Sequence, residues 1–243
     1  MNLIVMLVLV FFALTPKSAA EDYDYSALNI SVFTEAKRTR AHFIVTNPEE
    51  KKAGKTGNNG PYYNEFGNGY GTESEVGKSE TEWVDFYCSQ PLAGVYKINV
   101  YGLQGSTHTL TIQNYDRKGD SDYAEFMGMI PKKGMLEYRI TYSSEPGVKT
   151  KVVKIVTSDV LRQDLKAALE LKTLRGQELF DQLMKRISAA ERYTSIIEQK
   201  RTLLFLSQDI ESQSEDKIHP QIAAILRQDI QSMLKSLSNS GSK

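Results

Sequence analysis

The stretch VVKIVTSDVLRQDLKAALELK, residues 152–172, carries two side-chain rhythms that cannot belong to one element. Its first five residues are β-branched around Lys154 and close a long series of period-two segments. Beyond Ser158, Leu161, Leu165, Ala168 and Leu169 recur every third or fourth residue, which is the spacing of one helix face. Asp159 stands where a helix cap is expected. The chain therefore divides near Ser158, and each side can be read with its own period.

Upstream, from Asn29 to about Thr157, apolar residues alternate with polar ones between Gly, Pro, Asn and Asp clusters. NISVFT (29–34) and HFIVTN (42–47) are rich in strand formers, and the second runs into an Asn-Pro turn. In GVYKINVYG (94–102) Tyr96, Ile98 and Val100 share a face. Leu110 and Ile112 do so in THTLTIQNY (107–115), as do Leu136, Tyr138, Ile140 and Tyr142 in MLEYRITYS (135–143). Half-buried strands about every ten residues, with no helix-length segment between them, predict an all-β antiparallel sandwich, Ig-like or jelly-roll-like, over 21–157.

Downstream, 158–238 reads as a small helical hairpin or bundle. Gly176 is placed to end the first helix. Leu179, Leu183 and Ile187 continue the stripe, and Ile196, Leu203, Leu206 and Ile210 form a third one. Pro220 opens the last helix, whose face runs through Ile222, Ile225, Leu226, Ile230, Met233, Leu234 and Leu237. Each segment has one apolar side and a charged back, so the helices are expected to pack on one another. The end of the chain, 239–243, reads as a disordered tail.

The first twenty residues stand apart from this pattern. An unbroken apolar run from Leu3 to Leu14 precedes Thr15-Pro16 and then Ser18-Ala19-Ala20. Small residues before Glu21 fit the cleavage rule of an export signal, and the run is too short to span the ~30 Å of a bilayer core. We expect cleavage after Ala20, no stable membrane span thereafter, and a secreted or periplasmic location. The segment before the apolar run lacks Lys and Arg, which leaves a retained anchor as the alternative. The single cysteine, Cys88, lies on the apolar face of WVDFYC (83–88) and is expected to be buried as a small hydrophobe. Thirty basic residues balance thirty acidic ones, so no basic field is available for nucleic acid.

Pro91, Ala93, Gly94 and Tyr96, the alternating apolar residues up to Gly102, then STHTLTI (106–112) and YDRKGD (115–120) resemble the closing hairpin of β-sandwich modules appended to secreted bacterial proteins, including the pre-peptidase C-terminal type. The likeness extends over about 28–145, through RTRAHFIVTNPEEKKAGKTG (38–57) and NEFGNGYGTE (64–73). LFLSQDIESQSEDKIHPQIAAILRQDIQSML (204–234), with the helix before it, is similar to the helical-hairpin repeat of exported bacterial surface proteins. That repeat has Gly-Lys where this chain has Glu215-Asp216-Lys217, and a Ser or Thr cap where it has His219. Neither resemblance implies a catalytic activity. The acceptor pattern Asn29-Ile30-Ser31 is read as chance in a chain of bacterial resemblance.

The residues singled out for binding are Tyr62, Tyr63, Asn64, Phe66 and Tyr70, in the aromatic and glycine-rich YYNEFGNGYGTE (62–73), which is read either as a recognition loop or as a connection between strands. Asp116, Asp120 and Asp122, with Glu125, offer oxygen ligands of the kind calcium takes, though not at EF-hand spacing; an acidic turn is the alternative. His42, His108 and His219 show no zinc spacing. Ser106 and His108 sit too close along one strand for nucleophile and base, and the Gly-rich stretch lacks the strand and helix that aim amides at a phosphate. No cofactor is implied.

These readings predict an exported non-catalytic binding or structural protein of the bacterial envelope or exterior, with a protein or glycan of the envelope as partner. A small secreted hydrolase, or an accessory module of one, is the alternative, and it would require a cavity joining His108 or His42 to carboxylates. A pure spacer would show neither a concave pocket nor an ordered segment at 58–73.

Overall fold

The computed structural model of the chain describes residues 23–34, 41–56, 60–73, 82–102 and 105–240. The expected export signal and its cleavage point lie outside these residues.

Eleven strands form two antiparallel sheets among the described residues. They are β1 (Ala27–Thr34), β2 (Ala41–Thr46), β3 (Lys52–Lys55), β4 (Tyr62–Asn64), β5 (Gly69–Glu73), β6 (Glu82–Ser89), β7 (Gly94–Gly102), β8 (Ser106–Tyr115), β9 (Ser121–Ile130), β10 (Met135–Tyr142) and β11 (Lys151–Ile155). The five-stranded sheet runs β5-β6-β1-β8-β9 and the six-stranded sheet runs β11-β10-β7-β2-β3-β4. Ile30 lies opposite Phe86 on one side and Ile112 on the other. Phe43 lies opposite Val100, which in turn faces Leu136 across β7 and β10. One apolar cluster takes Leu28, Ile30, Phe86 and Ile112 from the first sheet, and Phe43, Tyr96, Ile98 and Tyr138 from the second. The inner faces therefore share a core, because alternation gives each strand a single apolar side to hide.

Four helices follow: α1 (Ser158–Glu170), α2 (Gln177–Arg192), α3 (Ile196–Ser212) and α4 (Pro220–Ser240). Their stripes meet in a second apolar cluster containing Leu165, Leu183, Ile187, Leu206, Ile210, Ile222, Leu226 and Ile230. None of the described helices is long and apolar enough to cross a membrane.

Several boundaries differ from the sequence reading. Thr157 caps α1, its Oγ1 accepting from the Val160 amide at 3.3 Å, while Asp159 accepts from Arg162 at 2.8 Å instead. A residue inside the first turn has its carboxylate free for a side-chain partner, whereas the extended backbone of Thr157 aims its hydroxyl at the open amides. The first helix stops before Gly176: Lys172 takes the left-handed turn at φ +57, and Gly176 at φ +97 precedes α2. The loop after α1 and the loop before α4 tie to each other, Arg175 N donating to Lys217 O at 2.7 Å and His219 N to Thr173 O at 2.8 Å. The last helix reaches Ser240, so positions 239 and 240, expected in the tail, are helical; the rest of that tail lies outside the described residues.

The two parts do not pack separately. Met127 and Met129 of β9 belong to the helical cluster, Val160 of α1 belongs to the cluster between the sheets, and Val156 touches both. Strands and helices thus meet at Met127, Met129, Val156 and Val160.

Candidate functional site

The segment 62–73 is a crossover between the two sheets. Tyr62–Asn64 pairs with β3 at the edge of the six-stranded sheet, and Gly69–Glu73 pairs with β6 at the edge of the five-stranded one. Between them Phe66 is buried, packing edge-on against Phe86 with ring centroids 5.1 Å apart. Asn68 fastens the turn: its backbone oxygen accepts from Ser89 N at 3.0 Å, and its Nδ2 donates to the oxygens of Ser89 and Gln90. The five expected binding residues are thus split. Phe66 is a core residue, Tyr62, Tyr63 and Asn64 stand on one edge, and Tyr70 stands on the other. They do not form one patch, because opposite ends of the segment are hydrogen-bonded into different sheets.

Tyr70 instead enters a row that crosses the outer face of the five-stranded sheet. It lies opposite Tyr87, which lies opposite Asn29, then Gln113, then Tyr123. The Tyr70 and Tyr87 rings are 5.4 Å apart, and Tyr70 and Tyr123 are 58% and 59% exposed at the two ends. Tyr123 donates its hydroxyl to Glu125 at 2.7 Å, a bond that raises its pKa. The adjoining row, Asp85, Ser31, Thr111 and Glu125, is polar and carries no cation. Sequence reasoning found Tyr70 alone, because a row is defined by register between distant strands; the signal available was an outward polar or aromatic position in each strand.

The acidic turn is a structural one. Asp116 Oδ1 accepts from the amides of Lys118 at 2.8 Å and Asp120 at 3.1 Å, and Oδ2 accepts from Gly147 at 3.3 Å. Burial raises its pKa, but these amides together with Gly119 outweigh that and hold it below the usual value. Asp122 accepts from the amides of Tyr123 at 3.0 Å and Thr150 at 3.2 Å, and Asp120 contributes its backbone oxygen to the Asp116 amide. Of the three carboxylates expected for calcium, Asp116, Asp120 and Asp122, the first and third accept backbone amides, and among the described residues no three His, Cys, Asp or Glu are grouped to hold a metal.

Cys88 is buried as expected, and burial pushes its thiol up to about 11. His42 and His108 are also buried. His108 Nε2 meets the Tyr138 hydroxyl at 3.0 Å across the core, and burial, aided by the charge on Lys154, pushes the imidazole down to about 3.

One constellation was not anticipated. Lys154 on β11 is buried between α1 and α4, with Nζ 2.6 Å from Asp229 Oδ2 and 3.5 Å from Asp164 Oδ2. Burial opposes the charge on Lys154, but the two aspartates outweigh it and hold its pKa above the usual lysine range. Asp164 is wholly buried; burial, partly offset by Lys154, holds its pKa well above the usual carboxylate value, and Asp229 adds to the rise. Oδ1 of Asp164 has no hydrogen-bond partner. The group borders a groove of about 670 Å³ between β11 and α4, lined by Lys154, Asp229, Val153, Gln228 and Ser232 among others. The sequence signal was a lysine amid β-branched residues and an aspartate on the apolar side of each of two helices.

No family model matches the chain, and no curated protein matches it. Among solved structures, astrotactin-2, described as a conserved vertebrate-specific and perforin-like membrane protein involved in neuronal development, is 8% identical over 89% of this chain with a TM-score of 0.17. The chain covers 36% of that protein's length, and a likeness of this size carries no argument about fold or function.

Proposed function

We propose that the chain is an exported, non-catalytic binding protein of the bacterial envelope or exterior, built from an Ig-like or jelly-roll-like sandwich and a helical bundle, and that its ligand is a glycan lying across the five-stranded sheet. The row Tyr70, Tyr87, Asn29, Gln113, Tyr123 carries the reading. Strands stand about 4.8 Å apart, so five in line present a track roughly 19 Å long. Tyrosine offers a flat apolar face with a polar rim, and amide side chains both donate and accept, which suits the apolar faces and the hydroxyl groups of sugars. The absence of Lys and Arg from these two rows favours a neutral chain over a polyanion. The helices serve as the base that steadies the sheets and as the surface for association. Burial of His108 against the Tyr138 hydroxyl inside the core supports a non-catalytic reading over the hydrolase alternative.

The test is retention of the folded chain on immobilised envelope polysaccharide. Replacing Tyr70, Tyr87 or Tyr123 by alanine is expected to weaken binding about tenfold each, the equivalent of ~1.4 kcal/mol per ring, with the unfolding midpoint little changed. Equal retention of all three variants would overturn the assignment of this face, and a wild-type chain that binds no polysaccharide would overturn the ligand class.

A further inference from the structure

The Lys154 site combines three features that an ordinary buried ion pair does not need. It has an amine 2.6 Å from a carboxylate, a second carboxyl within 3.5 Å of the same nitrogen, and an oxygen on that second carboxyl without a partner in a wholly buried position. One lysine cannot neutralise two carboxylates, so with both ionised the buried group would hold a net negative charge, which burial strongly disfavours. One aspartate therefore keeps its proton. Asp164 is the one inside the apolar face of α1, between Leu161 and Leu165.

We propose that Lys154 and Asp229 join in an intramolecular amide, with Asp164 moving the protons. The short contact lets a proton pass from the Lys154 ammonium to Asp229, leaving a neutral amine beside a neutral carboxylic acid. The nitrogen lone pair attacks Cγ of Asp229 and forms the C–N bond. Asp164 gives its proton to the departing hydroxyl, the C–O bond breaks, and one water leaves. The second proton of the nitrogen returns to Asp164, which ends the reaction as it began. Amine and acid go to amide and water, with no oxidant, reductant or energy-rich co-reactant. Holding the reactants in contact supplies a high effective concentration for the small share of the pair that is neutral. The adjoining groove between β11 and α4 gives the water a way out. The product would tie the last strand to the last helix, residues 75 positions apart in the chain.

Trypsin digestion of the folded full chain followed by mass spectrometry decides the question. An amide at Lys154 blocks cleavage there, so residues 152–162 and 228–235 are expected as one branched peptide lighter than the sum of its parts by one water. Asp164→Asn keeps the shape but removes the proton carrier, and it should give the unbranched peptides. Asp229→Asn should restore the same branched product with release of ammonia in place of water, since a carboxamide carbon accepts the same attack. Separate peptides from folded wild-type chain, cleaved after Lys154, would overturn the proposal. A branched peptide undiminished in Asp164→Asn would overturn the role given to Asp164. The wild-type measurement stands even if a variant fails to fold.

Discussion

Gly128 sits where a side chain would collide with His108: a Cβ there would lie 2.4 Å from Cε1 of the imidazole and 3.1 Å from the Tyr138 hydroxyl. Gly128→Ala should therefore cost about 1–3 kcal/mol by overpacking, measured as a lower urea midpoint at unchanged slope. The imidazole it shelters also makes stability depend on pH. His108 is pushed down to about 3 when folded and returns to about 6.5 when unfolded, so the unfolded chain binds the proton first as pH falls. Its contribution is complete above about 6.5 and is lost progressively toward 3, at up to about 1.4 kcal/mol per pH unit. His108→Gln keeps a polar group for Tyr138 and removes the titration, so its stability between pH 6 and 4 should fall less steeply than that of the wild type. Parallel profiles would show that the imidazole is not held neutral by the fold. Alternation placed both His108 and Tyr138 on inward faces, and that much was legible. Their hydrogen bond was not, because it joins positions 30 residues apart across two sheets.

At the scale of elements, the strands that the sequence displays clearly are those with one apolar face, β7, β8 and β10, whose burial alternates without a break. β9 escaped because it has two apolar duties. Phe126 packs toward the core between the sheets while Met127 and Met129 pack toward the helices, so apolar residues fall on both sides and no period of two survives. The crossover at 62–73 escaped for another reason: its strands β4 and β5 are short edge strands rich in Gly, Asn and Tyr, whose pairing comes from position rather than propensity. Its anchoring can be tested with two substitutions. Phe66→Ala removes a buried ring from the Phe86 contact and should cost about 3–5 kcal/mol. Tyr62→Ala, at a position 61% exposed, should change stability by less than ~0.5 kcal/mol. Similar losses at both positions, in chemical denaturation, would show that the segment is not pinned at Phe66.

The whole molecule is held together at the junction of strands and helices, and that junction was the part least visible beforehand. Hydrophobic rhythm reports which face of an element is buried but not which other element covers it, so the contacts across the change of period near Ser158 could not be read from it. Met129 inside the helical cluster, Val160 inside the sheet cluster and Lys154 between two helices all argue that neither part closes its surface alone. Removing the helices would leave the buried Lys154 side chain and the apolar side of β9 facing water, while removing the sheets would leave Asp164 and Asp229 without their partner. Lys154→Ala should accordingly cost about 3–5 kcal/mol, since it removes the side chain that joins β11 to Asp229 and leaves Asp164 and Asp229 buried without it. The same coupling predicts one transition. All but one of the 13 tyrosines, Tyr193, precede Ser158, whereas the four described helices follow it, so near-UV tyrosine signals report the sheets and far-UV signals report chiefly the helices. In thermal or denaturant unfolding of the wild-type chain the two signals should share one midpoint. Lys154→Ala, by loosening the joint, should draw them apart, and separate midpoints already in the wild type would mean that the contacts at β9, β11, α1 and α4 do not bind the two parts into a single cooperative unit.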